Sequence, residues 1–133
     1  MIFLDTSALV KRYVAEPGSD TVRRCMDDDF DWAASALART EAKVTLCHRG
    51  SEGRLASPPQ RQLDLDWDRF AVIPIDAECL SLAVMLGCQH RIQTLDAIHL
   101  AAALRLPEPV AFLSFDRHQS DVARVLGLEV VPV

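Results

Sequence analysis

Two aspartates each follow a short apolar run that is typical of a buried strand. Asp5 comes directly after Met-Ile-Phe-Leu, and Asp116 comes directly after Val-Ala-Phe-Leu-Ser-Phe (110–115). The carboxyl ends of parallel strands meet at one edge of a sheet, which is where α/β proteins build their sites. Carboxylate oxygens are the ligands that hard divalent cations such as Mg²⁺ prefer. The two aspartates therefore predict an acidic pocket for a divalent cation.

Glu41 is a third candidate, and it lies on a helical pattern over about 37–49. It shares one helix face with Leu37, Ala38, Val44, Thr45 and His48. A carboxylate that packs on the sheet with this face needs a cation, a hydrogen-bond donor or a raised pKa. The alternative is a helix rotated slightly, so that Glu41 reaches solvent beside Arg39 and Lys43. The pattern alone leaves both interpretations open.

Asp96 is a fourth candidate, in the first turn of a predicted helix over 95–106. It lies on the same face as His99, Leu100 and Ala103. An acid in a first turn is also explained by the helix dipole alone, which stabilises it by about 0.3–1 kcal/mol. Each of the four acids thus has an ordinary structural explanation, but two end strands and two lie on helix faces that should point inward.

Strand-like and helical patterns alternate along the whole chain and must position these acids. Strands are predicted at 1–4, about 31–34, 71–75, 110–115 and 129–131. Helices are predicted before Pro17, after a Ser19 or Asp20 cap, over 37–49, from Ser57 to Phe70, over 77–88 after Asp76, over 95–106 after Thr94, and over about 119–126. The segment 50–60 is predicted to be a loop. This alternation predicts a single α/β domain, 1–133, with a parallel sheet covered on both faces.

Charge and hydropathy exclude several classes of protein. The 133 residues carry a formal net charge of −5, which argues against a protein that holds long nucleic-acid duplexes by bulk electrostatics. Acids that bind a metal add formal charge that the bound cation cancels, so a nuclease stays allowed. No apolar run approaches the ~20 residues that span a bilayer, and Asp5 interrupts the apolar start. We expect a cytoplasmic protein without a membrane partner.

An ordered set of short motifs resembles the PIN domains, and among them the VapC toxins of bacterial toxin–antitoxin pairs. The motifs are Ile-Phe-Leu-Asp-Thr-Ser-Ala-Leu (2–9), Arg-Thr-Glu (39–41), Leu-Asp-Ala-Ile-His-Leu-Ala-Ala-Ala (95–103), Phe-Leu-Ser-Phe-Asp (112–116) and Leu-Gly-Leu-Glu-Val (126–130). The resemblance implies a PIN-like three-layer α/β/α fold and a Mg²⁺- or Mn²⁺-dependent endoribonuclease. The family's catalytic and metal-binding acids match Asp5, Glu41, Asp96 and Asp116, and its supporting hydroxyls match Thr6, Ser7 and Ser114.

The resemblance also implies partners and leaves some roles open. It implies an RNA substrate, a cognate VapB-type antitoxin that blocks the acidic pocket, and a homodimer. The helices over 37–49 and 58–70 are our prediction for the dimer and antitoxin groove. A catalytically inactive PIN-like module that binds RNA or protein is the alternative.

Within the pocket, Asp5 and Asp96 are the expected direct metal ligands, with Glu41 and Asp116 acting through water or at a second metal. We expect His99 to be a packed or supporting histidine and Asp121 a helix-surface residue. The candidates for a basic rim that attracts RNA are Lys11, Arg12, Arg39, Lys43, Arg49, Arg54, Arg91 and Arg117.

Overall fold

A five-stranded parallel sheet lies at the centre of the protein. The structure is a computed structural model, which describes residues 1–49, 57–107 and 109–133. The strands are β1 (Ile2–Leu4), β2 (Trp32–Ser35), β3 (Ala71–Ile73), β4 (Ala111–Leu113) and β5 (Glu129–Val130). Their order is β3-β2-β1-β4-β5, and every neighbouring pair is parallel. The predicted parallel sheet is confirmed.

Helices cover both faces of this sheet. They are α1 (Thr6–Tyr13), α2 (Ser19–Asp28), α3 (Ala36–His48), α4 (Pro58–Trp67), α5 (Ala77–His90), α6 (Thr94–Ala103) and α7 (Arg117–Val125). Successive side chains of a strand point to opposite faces, so β1 buries Ile2 and Leu4 against α1–α4 and Phe3 against α5–α7. The two cores give the three-layer α/β/α arrangement that was predicted.

The order of the strands fixes where the site can form. From β1 the chain adds β2 and β3 on one side and then crosses over to add β4 and β5 on the other. The connections that leave β1 and β4 therefore diverge, which opens a crevice at the carboxyl ends of these two neighbouring strands. Asp5 follows β1 and Asp116 follows β4, so both acids lie at this crevice.

Helix starts differ from the predictions at three places. Thr94 is the first residue of α6 and Gln93 is its N-cap, so the predicted Thr94 cap is wrong. Helix α2 is capped by Gly18 in the left-handed region, because the hydroxyl of Ser19 donates to Val14 O and accepts from Glu16 N. Helix α7 begins two residues earlier than predicted.

Some helix and strand ends also differ from the predicted ends, because local hydrogen bonding decides where an element stops. Helix α6 ends at Ala103, since the following residues make tighter three-residue turns, with Leu106 N donating to Ala103 O. Strand β3 stops at Ile73 because Pro74 has no N–H to continue the ladder. The predicted Asp76 cap is confirmed, and Cys79 N donates to Asp76 Oδ1 at 2.9 Å.

Two further predictions concern the loop over 50–60 and the absence of a membrane-spanning segment. Most of the predicted loop over 50–60 lies outside the described residues. Among the helices that are described, none combines the length and apolar character that a membrane-spanning segment needs.

Candidate functional site

All four predicted acids line one cavity at the carboxyl ends of β1 and β4. The cavity has a volume of about 360 Å³. Asp5 and Asp116 reach it from the strand ends, Glu41 from α3 and Asp96 from the first turn of α6. The predicted supporting residues Thr6 and Ser7 line it as well.

Asp5 is the most deeply buried of the four acids, with 4% of the residue exposed. Its Oδ1 accepts hydrogen bonds from Ser7 Oγ at 2.7 Å and Ala8 N at 2.9 Å, and its Oδ2 accepts one from Ser114 Oγ at 2.8 Å. Burial raises the pKa of Asp5 above its ordinary value, although the hydrogen bonds from Ala8, Ser7 and Ser114 oppose this rise. Asp5 is therefore fixed in position, and its ionised form is costly.

Ser114 and Gln119 connect Asp5 to two other acids from beneath the cavity. The fully buried Ser114 Oγ accepts from Asp116 N at 3.0 Å and lies 2.8 Å from Gln119 Oε1. Gln119 N donates to Asp116 Oδ1 at 2.8 Å, so that Asp116 caps α7, and Gln119 Nε2 donates to the main-chain oxygen of Asp96 at 3.3 Å. The sequence prediction missed Gln119. The available signal was its position on the buried stripe of α7 with Val122 and Ala123.

Glu41 is held by a hydroxyl and a histidine from two other elements. Its Oε1 accepts from Thr6 Oγ1 at 2.6 Å and lies 2.6 Å from His99 Nε2, while His99 Nδ1 lies 3.0 Å from Ser35 Oγ. Burial acts to raise the pKa of Glu41, but the hydrogen bonds from His99 and Thr6 outweigh it and lower the pKa overall. His99, with 2% exposed, is a buried supporting residue, as expected. The sequence did not predict its direct contact with Glu41, or the part played by Ser35.

The orientation of α3 falls between the two predicted alternatives. Its buried stripe is Ala38, Ala42 and Leu46, whereas Val44 is 52% exposed. The predicted face that joined Val44 to Glu41 is therefore wrong by a partial turn of the helix. Glu41 lies at the border of the buried stripe, where its side chain is 25% exposed and reaches the cavity.

Asp96 is the acid without hydrogen-bonding support. Among the residues that the structure describes, no donor contacts its side-chain carboxylate. Burial raises its pKa first, and the negative charges of Asp116, Asp5 and Glu41 raise it further, against the opposing effect of His99. The four carboxylates are thus close enough for their charges to interact, and Asp96 is the one on which burial and repulsion act without a hydrogen bond from the described residues to offset them.

Of the seven candidate cations that the structure describes, Lys11 and Arg49 line the cavity. Arg12 is turned away from it, since its Nε lies 3.1 Å from Asp66 Oδ2 and its guanidinium lies over the Trp32 ring. Arg12, a candidate for the basic rim, therefore does not line the cavity.

Other charged residues of the prediction lie elsewhere. Arg39 and Lys43 both pair with Asp64. Arg54 falls outside the described residues. Asp121 pairs with Arg124 at 2.8 Å on the exposed face of α7, which confirms the prediction of a helix-surface residue.

The donor set of the cavity suits a hard cation by its chemistry. Mg²⁺ takes oxygen ligands and keeps several waters, so one or two direct carboxylates suffice. As the side chains stand, no three His, Cys, Asp or Glu residues within 1–49, 57–107 and 109–133 form a group that could hold a metal ion. Several carboxylate oxygens of the cavity already accept hydrogen bonds from the protein.

Comparison with known proteins identifies the family. The PIN domain family matches residues 2–125, which is nearly the whole chain. The chain belongs to the PIN domain family. The resemblance found in the motifs is thereby confirmed, and the three-layer fold is the one this family shares.

Relatives of this PIN domain carry the name ribonuclease VapC. Ribonuclease VapC46 of Mycobacterium tuberculosis is 38% identical over 131 residues, covering 98% of this chain and 95% of the relative. Among solved structures, M. tuberculosis VapC20, described as a sarcin–ricin loop cleaving toxin, superposes with a TM-score of 0.77 at 17% identity and covers 99% of this chain and 100% of its own. A toxin–antitoxin complex from Klebsiella pneumoniae gives a TM-score of 0.74 at 15% identity, covering 99% of this chain and 97% of its own.

Proposed function

We propose that this PIN domain is a Mg²⁺- or Mn²⁺-dependent endoribonuclease and the toxin of a toxin–antitoxin pair. The observation that supports the proposal most is the environment of the Asp96 carboxylate. Its half-buried carboxylate lacks a donor among the described residues and is repelled by three other acids of the same cavity. A buried charge of this kind is stabilised by a cation, and the name of the relatives supplies the reaction.

Some residues of the cavity would bind the cation directly, and others would position water beside it. A bound divalent cation lowers the pKa of its water and neutralises charge that develops on the phosphoryl oxygens. Asp5 and Asp96 are our proposal for the direct ligands. Three hydrogen-bond donors fix the Asp5 carboxylate. The Asp96 carboxylate accepts no hydrogen bond from the described residues, so its oxygens are available to a cation. Glu41 and Asp116 use one oxygen each for Thr6 Oγ1 and Gln119 N, which leaves the other for water.

His99 has a positioning role in this scheme. With Nδ1 beside Ser35 Oγ and Nε2 beside Glu41 Oε1, its ring is fixed from both ends. It holds Glu41 at Oε1, and Oε2 accepts no hydrogen bond from the described residues.

Cleavage of RNA by the purified protein tests the proposal most directly. Total RNA is incubated with wild type, Asp5→Ala and Asp121→Asn in Mn²⁺, and the new RNA ends are sequenced. Asp121→Asn is the matched control, because it removes an acid from the surface pair with Arg124. We expect defined cleavage sites with wild type and the control and none with Asp5→Ala. Equal cleavage by Asp5→Ala would overturn the catalytic assignment.

Metal binding has an independent readout in the thermal midpoint. A ligand present at 100 times its Kd stabilises the fold by about 2.7 kcal/mol. Saturating Mn²⁺ should therefore raise the midpoint of wild type clearly and that of Asp5→Ala much less. An unchanged wild-type midpoint, together with RNA that is bound but not cut, would favour the inactive RNA-binding alternative.

A cognate antitoxin of the VapB type is the proposed protein partner. The structural likeness to a toxin–antitoxin complex supports this partner. We place the antitoxin groove and a homodimer contact along α3 and α4, as predicted from the sequence. Light scattering of the purified protein measures the oligomeric state, and a monomer at micromolar concentration would argue against the homodimer.

A further inference from the structure

A cluster of opposite charges, Lys11, Glu16 and Arg49, lines the same cavity as the four acids. Lys11 Nζ donates to Glu16 Oε1 at 2.9 Å, and Arg49 Nη1 donates to Glu16 Oε2. One carboxylate thus bridges a cation of α1 and a cation that directly follows α3. The cavity therefore has an acidic part and a basic part, and an acid of the protein itself occupies the basic part.

Lys11 is held in place by more than this ion pair. Its Nζ also donates to Pro17 O at 2.9 Å and lies 4.7 Å from the centre of the Phe115 ring. Gly18 lies against the same ring with φ +92°, and a Cβ there would come within 2.4 Å of Phe115 Cε1 and 3.2 Å of Lys11 Cδ. The backbone thus packs closely around the lysine, which is a preformed position rather than a loose surface charge.

Glu16 has the properties of a carboxylate bound in an anion site. Its hydrogen bond from Lys11, followed by the charges of Lys11 and Arg49, holds its pKa below the ordinary value. Carboxylate and phosphate are both oxygen anions that accept from lysine and arginine in the same way. A pair of cations that binds one can bind the other in its place.

We propose that Lys11 and Arg49 bind a phosphate of the RNA strand adjacent to the phosphate that is cut, and that Glu16 occupies this subsite until RNA displaces it. The inference rests on the proposed function, because it takes RNA as the ligand of the acidic cavity. It explains how a protein with a net charge of −5 brings RNA to a cluster of carboxylates. The attraction comes from two cations beside the acids, and these cations become available when RNA displaces Glu16.

A purely structural role for Glu16 predicts results of the opposite sign. As a latch between the α1–α2 connection and the end of α3, Glu16 would stabilise the cavity, and its removal would weaken RNA binding. As an internal competitor of phosphate, its removal frees two cations and strengthens binding. The direction of the change therefore separates the two roles.

Binding of a labelled single-stranded RNA oligonucleotide, followed by fluorescence anisotropy in EDTA over a series of salt concentrations, measures this direction without cleavage. We expect Glu16→Gln to tighten binding about fivefold at low salt. Arg49→Gln should weaken it by about the same factor and reduce the slope of log Kd against log salt by about 0.7, the value for one phosphate contact to a single strand.

The surface pair on α7 supplies matched controls. Arg124 and Asp121 form an ion pair whose side chains are 55% and 58% exposed, and neither residue lines the acidic cavity. Arg124→Gln and Asp121→Asn make the same changes in net charge as the two test variants. We expect each control to alter Kd by less than about twofold, because salt screens distant charges. Thermal midpoints of all four variants show whether each is folded.

The outcomes separate this inference from the proposed function. The KM for cleavage in Mn²⁺ is the second measurement and should fall in Glu16→Gln and rise in Arg49→Gln. Wild type that cuts RNA, with Arg49→Gln unchanged in both Kd and KM, overturns the phosphate subsite and leaves the nuclease. The expected changes in Kd without any cleavage by wild type would support the subsite and refute the nuclease. Weaker binding by folded Glu16→Gln assigns Glu16 to the latch, and wild type that neither binds nor cuts RNA overturns both.

Discussion

Ser114 is the residue at which stability and the candidate site are most closely linked. Its hydroxyl is fully buried, donates to Asp5 Oδ2 at 2.8 Å and accepts from Asp116 N at 3.0 Å. Only one hydroxyl proton is available, and the charged oxygen of Asp5 is a stronger acceptor than the nearby amide oxygen of Gln119. Ser114→Ala therefore removes a charge-assisted hydrogen bond and leaves a backbone N–H without its partner.

The size of the effect follows from these two losses. A hydrogen bond to a charged group contributes about 1.5–3 kcal/mol, and stranding a buried N–H costs about 1 kcal/mol or more. We expect Ser114→Ala to lower the free energy of unfolding by about 3 kcal/mol. With an unfolding entropy of about 2.1 cal/mol/K per residue over 133 residues, the thermal midpoint should fall by about 10 °C.

The loss should depend on pH through Asp5. Burial raises the folded-state pKa of Asp5 above 3.8, and the Ser114 bond is one of the contacts that limit this rise. A carboxyl group with a raised folded-state pKa contributes stability that is present below its unfolded pKa and lost as the pH rises through its folded pKa. Ser114→Ala raises that pKa further. The difference from wild type should therefore be largest near pH 8 and should shrink as the pH falls toward 4.

Thermal and urea unfolding in EDTA, at pH 8 and at lower pH, measure both quantities. Ser120→Ala is the matched control, because this neighbouring hydroxyl is also buried and, among the described residues, makes a single long contact of 3.5 Å, with Ser114 O. The control should lose less than about 1 kcal/mol. Equal losses in the two variants, or a Ser114→Ala loss that grows as the pH falls, would refute the assignment of Ser114 as the donor to an ionised Asp5.

Two further substitutions test the charge and the packing of the cavity. Asp96→Asn should raise the metal-free thermal midpoint at pH 8, because it removes a charge that has no donor among the described residues. It should also reduce the rise of the midpoint that Mn²⁺ causes. A lower metal-free midpoint would contradict this reasoning. Gly18→Ala should lose about 2–4 kcal/mol in urea unfolding, from positive φ and the clash with Phe115. Gly127→Ala, at φ +89° with open space around it, should lose only about 1–2 kcal/mol, and equal losses would rule out the clash.

The fold was largely predictable because two periodicities alternate along the chain. Short apolar runs such as Ile-Phe-Leu and Ala-Phe-Leu are typical of buried strands, and alternation with helices favours parallel pairing. Element ends were less predictable, since a hydroxyl can cap a helix or bond elsewhere. Ser19 illustrates this, because its side chain bonds to the preceding loop and Gly18 is the N-cap of α2 instead.

The meeting of the four acids at one cavity was predictable, and the contacts that support them were not. Asp5 and Asp116 follow strands directly, so topology alone brings them together. The partners of Glu41 come from α1 and α6, as Thr6 and His99, and such contacts depend on how three helices pack. The orientation of α3 shows why the pattern was not sufficient. A partial turn of the helix decides whether Val44 is buried or exposed, and the pattern does not fix that rotation.

The distribution of donors among the acids indicates where a cation has most to contribute. Asp5 is the deepest acid and has three donors, Glu41 has two neighbours that can donate, and Asp116 has one backbone donor. Asp96 has none among the described residues, and its charge is opposed by the other three. Three of the four carboxylates therefore accept hydrogen bonds from the protein, and Asp96 accepts none from the described residues. On the proposed function, Asp96 is a carboxylate whose charge a bound cation would offset, and Asp5, fixed by three donors, would hold that cation in place.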